Sequence, residues 1–368
     1  MTATVESVEV RRLEIPLARP WAPDVTTVTV LPVEVRCDDG TVGHGFSWTP
    51  TIGAGAVAAF LTEELAPWWT GRAADPALWQ QAWERVHEAG GGGISTIALA
   101  GIDLALWDAR ARREGTSVTG VLGRRHDELP VYGSGVNLHY PLEELVAQVE
   151  RWVAAGHRAV KVKVGKPDPA EDADRLAAVR EVLGADRDLM IDANQRWDVD
   201  RAAHALELFT AVRPAWIEEP LRADDLAAHR ELRRRTDLPI ALGENLHTIH
   251  RFRDFLDAGV VDVVQPNVIR VGGITPFLAI ADLARERGAR LAAHLLPELS
   301  AQLSFALPEQ TWIEDVEDAR FADLGVLAES TGLEFGAGHV RGGPTRGLGI
   351  RFTDRPSLPP ADRGRSGS

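Results

Sequence analysis

Ala159-Val160-Lys161-Val162-Lys163-Val164-Gly165 is the stretch on which the fold turns. β-Branched residues closed by a glycine read as a strand, and a period of two sends Lys161 and Lys163 to one face and the valines to the other. At a sheet edge both ammonium groups would lie in water. On the inner face of a buried strand, desolvation disfavours each charge, and each lysine raises the cost of protonating the other. One of the pair is then expected to be a free amine near neutral pH, as abstraction of a proton from a weakly acidic carbon requires. The chain downstream favours the buried alternative.

From residue 128 to about 331 strands alternate with helices. Strands are expected at Val131–Gly135, Ala159–Lys163, Asp188–Asp192, Ala215–Glu218, Ile240–Glu244, Val261–Gln265, Arg290–His294 and Thr311–Glu314. Leu142–Ala155, Ala170–Leu183, Arg201–Ala211 and Thr275–Arg287 carry apolar residues at spacings of three and four, a helical pattern. Eight strands with helical crossovers make the count of a (β/α)8 TIM barrel in the α/β class.

Residues 1–127 read as an α+β capping domain. Strands are expected at Val5–Ile15, Thr27–Arg36 and Thr41–Trp48, then helices over 53–70 and 76–90 and a third capped by Ser95 and ending at Arg113. Gly90–Gly93 reads as a hinge, because no Lys-Ser/Thr pair follows to make a phosphate loop. Residues 332–353 are expected to pack back on the capping domain, and 354–368, rich in Pro, Arg, Gly and Ser, to be disordered.

Hydrophobic residues make up 45% of the 368 and charged residues 26%, the composition of a soluble globular protein with a large core. A net charge of -14 argues against nucleic acid or anionic membranes as partners. No run approaches the roughly 18–20 apolar residues of a membrane span. The single cysteine, Cys37, excludes an internal disulfide, and the start lacks a signal-type apolar run, so a cytoplasmic location is expected.

Catalytic groups of such barrels gather at the C-terminal ends of the strands. Those ends carry Lys163, Asp192, Glu218, Glu244, Gln265 to Asn267, His294 and Glu314, from the second strand to the eighth. Asp192, Glu218 and Glu244 follow one another at 26-residue intervals. Three convergent carboxylates repel one another without a cation, and hard oxygen ligands with open positions suit Mg2+, with Mn2+ as a substitute. Lysine on one side and histidine on the other leave a gap for a small carboxylate substrate, whose neighbouring carbon would lose a proton to give a metal-stabilised dianion. Glu314, if protonated by burial, would donate a hydrogen bond to the same developing charge. Arg19 and Asp24, in the proline-punctuated loop after the first strand, either recognise hydroxyls or a distal carboxylate or are solvated. His247 and His250, close behind Glu244, are lesser candidates for the mouth.

Ala159 to Gly165, Met190-Ile191-Asp192-Ala193-Asn194, Trp216-Ile217-Glu218-Glu219-Pro220, Gly243-Glu244-Asn245, Pro266 to Gly273, His294-Leu295 and Trp312-Ile313-Glu314, taken in order, resemble the mandelate racemase subgroup of the enolase superfamily. The resemblance runs from about residue 5 to 352. It implies that Asp192, Glu218 and Glu244 are the metal ligands and Lys163 the base on one face of the substrate. Lys161 would lower the pKa of that base, His294 would be the acid/base on the other face, and Glu314 the electrophilic acid. Ser134 and Asn194 match positions that contact substrate or metal-bound oxygen, and loops near Trp21 (about 16–27) and Trp48 (about 47–53) would form a specificity lid. Relatives usually assemble as homo-oligomers. One position departs: Asn267 stands where mandelate racemase-like proteins carry an aspartate paired with the histidine. An amide is expected to accept from the imidazole and fix its tautomer without stabilising imidazolium. Elimination is then favoured over two-way racemisation, and dehydration of an acid sugar to a 2-keto-3-deoxy acid is the leading expectation. A 2-hydroxy-acid racemase and a non-catalytic metal-carboxylate binding protein are the alternatives.

Overall fold

A computed structural model describes residues 3–22 and 24–353. Pro23 of the expected lid and the expected disordered tail 354–368 lie outside the described residues.

The capping domain opens with an antiparallel sheet in which β3 (Thr27–Cys37) is central, flanked by β1 (Val5–Val10) and β2 (Leu13–Pro16) on one edge and β4 (Val42–Thr49) on the other. The single first strand expected from the sequence is split at Arg11 and Arg12. Pro32 faces that break: its carbonyl accepts from Arg11 N at 3.0 Å, and it has no N–H to return, so the ladder is interrupted there. Helix α1 (Ala54–Ala59) passes through a wide turn, Phe60–Leu65, into α2 (Ala66–Trp69), and α3 (Trp79–Val86) follows. The long α4 (Ile94–Arg113) then crosses the sheet against β4. Glycines allow that approach, since a Cβ on Gly45 would stand 2.2 Å from the Gly101 carbonyl. Gly93, not Ser95, starts α4; the Ser95 hydroxyl donates back to the carbonyls of Gly90 and Gly92. The short α5 (Val118–Leu122) ends the domain.

The barrel strands are β5 (Glu128–Ser134), β6 (Ala159–Lys163), β7 (Asp188–Asp192), β8 (Trp216–Glu218), β9 (Ile240–Leu242), β10 (Val263–Val264), β11 (Arg290–Leu291) and β12 (Ile313–Val316). They alternate with α6 (Leu142–Ala154), α7 (Pro169–Leu183), α8 (Val199–Phe209), α9 (Leu226–Arg233), α10 (Ile249–Asp257), α11 (Ile274–Glu286) and α12 (Pro297–Ser304). The strands pair in parallel in chain order from β5 to β11, and β12 lies parallel to β5 on its other side. Period two sorts each strand. Val160, Val162, Leu189, Ile191, Ile217 and Val264 face outward into the main core beneath the helices. Inward, Tyr132, Ala159, Met190, Trp216, Ala241, Val263 and Ala292 form a separate apolar cluster. Further along the same strands the inward positions are Ser134, Lys161, Lys163, Asp192, Glu218 and Glu314.

The end of the chain divides its packing. The hairpin of β13 (Leu333–Gly336) and β14 (His339–Gly342) pairs antiparallel with the start of β5, on the barrel rather than the cap. Beyond it, Leu348 N donates to Asp108 on α4 and Phe352 meets the Phe46 ring edge-on, both in the capping domain. A second tie between the domains is Asp103 on α4, whose carboxylate accepts from Thr275 N at 3.0 Å and Thr275 Oγ1 at 2.6 Å, in the first turn of α11. Among the described residues, no helix is long and apolar enough to cross a membrane.

Candidate active site

Strand register sets the site. Lys163 pairs with Asp192 across β6 and β7, and Asp192 with Glu218 across β7 and β8, so the three side chains leave the sheet at one level. Glu244 lies beyond the end of β9. The chain reaches it through Gly243, at φ 147°, where a Cβ would stand 2.8 Å from the main chain of Gln265. Asp192, Glu218 and Glu244 are buried and offer oxygens that all lie within 4.8 Å of one another. Just past these ends the backbone turns left-handed without glycine, at Asn194 (φ 45°), Gln195 (φ 62°) and Glu219 (φ 41°), and after His294 at Leu295 (φ 57°) and Leu296 (φ 52°). Each such residue costs about 1–3 kcal/mol and persists only where its surroundings over-determine it.

The donor set fits a hard divalent cation. Burial pushes the Glu218 carboxyl up to about 8; Lys161 opposes the shift, and the charges of Asp192 and Glu314 add to it. Burial, more than charge, is what disfavours the Glu218 carboxylate, and a doubly charged ion between the three oxygens would relieve that penalty.

The lysines differ from expectation. Lys161 Nζ lies 2.8 Å from Glu218, 2.7 Å from Glu314 and 3.8 Å from Asp192, and Lys163 Nζ donates to Asp192. Burial alone would lower both pKa values, but these carboxylates hold Lys161 well above, and Lys163 above, the ordinary lysine value. In this arrangement both are ammonium groups, and the free amine expected from two adjacent lysines is not present. The strand pattern contains their mutual repulsion but not the acids on the neighbouring strands. Glu314 is likewise a carboxylate and not the expected buried acid. Burial raises its pKa, but Lys161 and then His294 outweigh burial and hold it at about 2. It accepts from Ser134 Oγ at 2.7 Å and Leu295 N at 2.9 Å.

His294 faces the acids from the opposite side, with Nε2 at 2.8 Å from Glu244 and 4.0 Å from Glu314. Its Nδ1 lies 3.1 Å from Asn267 Nδ2. Asn267 therefore donates to the ring, where acceptance was expected, because its Oδ1 already accepts from Ile269 N at 3.0 Å and Arg270 N at 3.1 Å.

Asn194 meets the cluster through its main chain, its N–H donating to Asp192 Oδ1 at 2.8 Å. Trp48 lies in β4, one residue before its end, is 3% exposed and belongs to the main core, with Trp21 edge-on at 6.2 Å. Arg19 pairs with Asp318 at 2.8 Å and lies near Glu144 and Glu317, so it fastens its loop to the barrel.

Several supporting contacts escaped the sequence, which places Gln265 at its strand end but gives it no partner. Gln265 Nε2 donates to Glu218 at 2.7 Å, and Asn137 Oδ1 accepts from Lys163 N at 2.9 Å. Asn245 donates to both oxygens of Glu219 at 2.9 Å and to Glu244 at 3.0 Å, while Arg270 donates to Asn245 Oδ1 at 2.6 Å. A strand-end position marks Gln265, though not its bond to Glu218. Asn137 follows its strand in an irregular loop and gives no such signal.

Residues 144–355 match the model of the enolase C-terminal domain-like family, and residues 3–123 that of the mandelate racemase / muconate lactonizing enzyme N-terminal domain. The chain belongs to the mandelate racemase/muconate lactonizing enzyme family. Within it, the chain is 37% identical over 287 residues to 3,6-anhydro-alpha-L-galactonate cycloisomerase of Streptomyces coelicolor, covering 77% of this chain and 80% of that one. It is 38% identical over 301 residues to L-talarate/galactarate dehydratase of Salmonella typhimurium, covering 80% and 74%. The crystal structure of that dehydratase liganded with Mg and L-lyxarohydroxamate superposes with a TM-score of 0.88 at 33% identity, over 96% of this chain and 92% of the other. The enolase-superfamily fold, a capping domain on a (β/α)8 barrel, is thus shared along nearly the whole chain.

Proposed function

We propose that this family member is a Mg2+-dependent acid-sugar dehydratase that removes the proton beside a carboxylate and yields a 2-keto-3-deoxy acid. The observation that carries the reading is the buried trio Asp192, Glu218 and Glu244 set between the lysine side chain of Lys163 and the ring of His294. Asp192, Glu218 and Glu244 would hold Mg2+, which when bound supplies positive charge to the substrate carboxylate and to the second negative charge developing as the carbon ionises. Lys163, an ammonium while it donates to Asp192, must first release a proton to solvent; the free amine then takes the α-proton as the C–H bond breaks. Lys161 and the network from Ser134 through Glu314 orient the groups around that charge. The electron pair then forms the C=C bond, the β-carbon–oxygen bond breaks, the departing hydroxide takes up a proton from solvent, equal to the one Lys163 released, and leaves as water, and the enol tautomerises to the keto acid. A carboxylate-bearing sugar is the only partner the site requires. Assembly into a homo-oligomer and a cytoplasmic location complete the proposal.

The test is a screen of mono- and diacid sugars, with mandelate included, read by formation of 2-keto acid. At least one acid sugar should be turned over with Mg2+, and turnover should vanish with chelator and fall by about 10²–10⁴-fold in Lys163→Ala. Fast α-hydrogen exchange of both mandelate enantiomers without elimination would establish racemisation instead.

A further inference from the structure

Asn267 lies between main chain and imidazole, is fully buried, and has one orientation open to it. Its Oδ1 accepts from two main-chain donors, Ile269 N and Arg270 N. The flipped amide would turn its NH2 toward both of these N–H groups and leave them without an acceptor; each buried donor left unpaired costs about 1–3 kcal/mol. Its NH2 therefore points at His294, 3.1 Å from Nδ1 and 3.5 Å from the His294 carbonyl. A donor facing Nδ1 requires a lone pair there. In the neutral ring the hydrogen then sits on Nε2, the nitrogen that faces the acid cluster at 2.8 Å from Glu244.

We propose that Asn267 holds His294 as the Nε2–H tautomer, which makes His294 a hydrogen-bond donor toward the substrate and leaves Lys163 the only base of the site. A carboxylate at position 267 would do the opposite: with acceptors on both oxygens it would take Nδ1–H and free the Nε2 lone pair to receive a proton. The amide thus reverses the polarity of the histidine side through one hydrogen bond, with Asn267 acting as a positioning residue. Proton removal becomes one-sided. A substrate whose α-hydrogen points at Lys163 reacts, its α-epimer does not, and His294 presents its Nε2–H to the departing oxygen as a donor.

The inference rests on the proposed reaction for its consequence but not for its geometry, so two measurements separate them. The first is long-range 1H–15N correlation on the full-length protein with 15N-histidine, with and without Mg2+, at a pH where the ring is neutral. His294 should show the Nε2–H pattern, and Asn267→Asp should convert it to Nδ1–H. An Nδ1–H ring in the wild type overturns the proposal, whether or not any acid sugar is turned over and whether or not the variant folds. The second is α-hydrogen exchange in D2O with C2-epimeric acid sugars. The wild type should favour one epimer by at least tenfold, and Asn267→Asp should narrow that ratio. Equal exchange of both epimers by the wild type would defeat the one-base consequence.

Discussion

The two flanks of the acid cluster are built differently. On the lysine flank, β6 and β7 pair over five residues, Ala159 with Asp188 through Lys163 with Asp192, so the side chains inherit their positions from a regular ladder. On the histidine flank, β10 and β11 are two residues each, and Asn267 and His294 sit in the loops beyond them. There the geometry comes from individual hydrogen bonds: His294 N to the Pro266 carbonyl, Asn267 to two main-chain donors, and Leu295 N to Glu314. A ladder places side chains by periodicity. Loops place them by local polar satisfaction, which permits one residue type to invert the chemistry of its neighbour.

The sharpest way to break this contrast is to remove each flank in turn. Lys163→Ala should lower turnover by about 10²–10⁴-fold, the usual share of a positioned base, and abolish α-hydrogen exchange. His294→Ala removes a donor; turnover should fall by about 10²–10³-fold while exchange on the lysine side persists. Measured together by NMR in D2O, loss of exchange in both variants would make the flanks chemically equivalent.

The same contrast explains what was legible. Strand phase alone put Lys161, Lys163, Asp192 and Glu218 on one inner face, because a period of two survives any detail of packing. The count of eight strands with helical crossovers carried the barrel, and equal spacing of the acids its metal cluster. Protonation states were not legible: the amine expected of Lys163 and the acid expected of Glu314 both depend on partners from other strands, here Asp192 and Lys161. Nor was the direction of the Asn267 hydrogen bond, which depends on two N–H groups only a loop conformation brings round. The burial of Trp48 was not legible either, since a tryptophan at a strand end beside a loop is covered only once the rest of the core is present.

A smaller effect should follow from the cation itself. If Asp192, Glu218 and Glu244 hold the ion, Mg2+ stabilises the fold by binding the native state alone, about 2.7 kcal/mol at a hundredfold excess over Kd. Thermal unfolding of the wild type should shift upward with Mg2+, and Asp192→Asn should remove the shift. An Asp192→Asn variant that responds to Mg2+ like the wild type would place the ion elsewhere.

The smallest effect concerns how the capping domain steadies the histidine flank. Asp103 holds the first turn of α11, which begins directly after the loop carrying Asn267, and Trp107 Nε1 donates to the same Thr275 hydroxyl at 2.9 Å. Burial raises the Asp103 carboxyl from 3.8 to about 7, against the opposing hydrogen bonds from Thr275. A carboxyl that holds its proton more tightly folded than unfolded contributes stability that is complete below pH 3.8 and lost as pH rises through about 7. Between those limits the slope is at most about 1.4 kcal/mol per pH unit. Asp103→Asn removes the titration, so urea unfolding at pH 5, 6, 7 and 8 should give the variant a flatter decline than the wild type. Parallel declines would mean that Asp103 is ionised throughout, and that the tie between cap and histidine flank is a charged one.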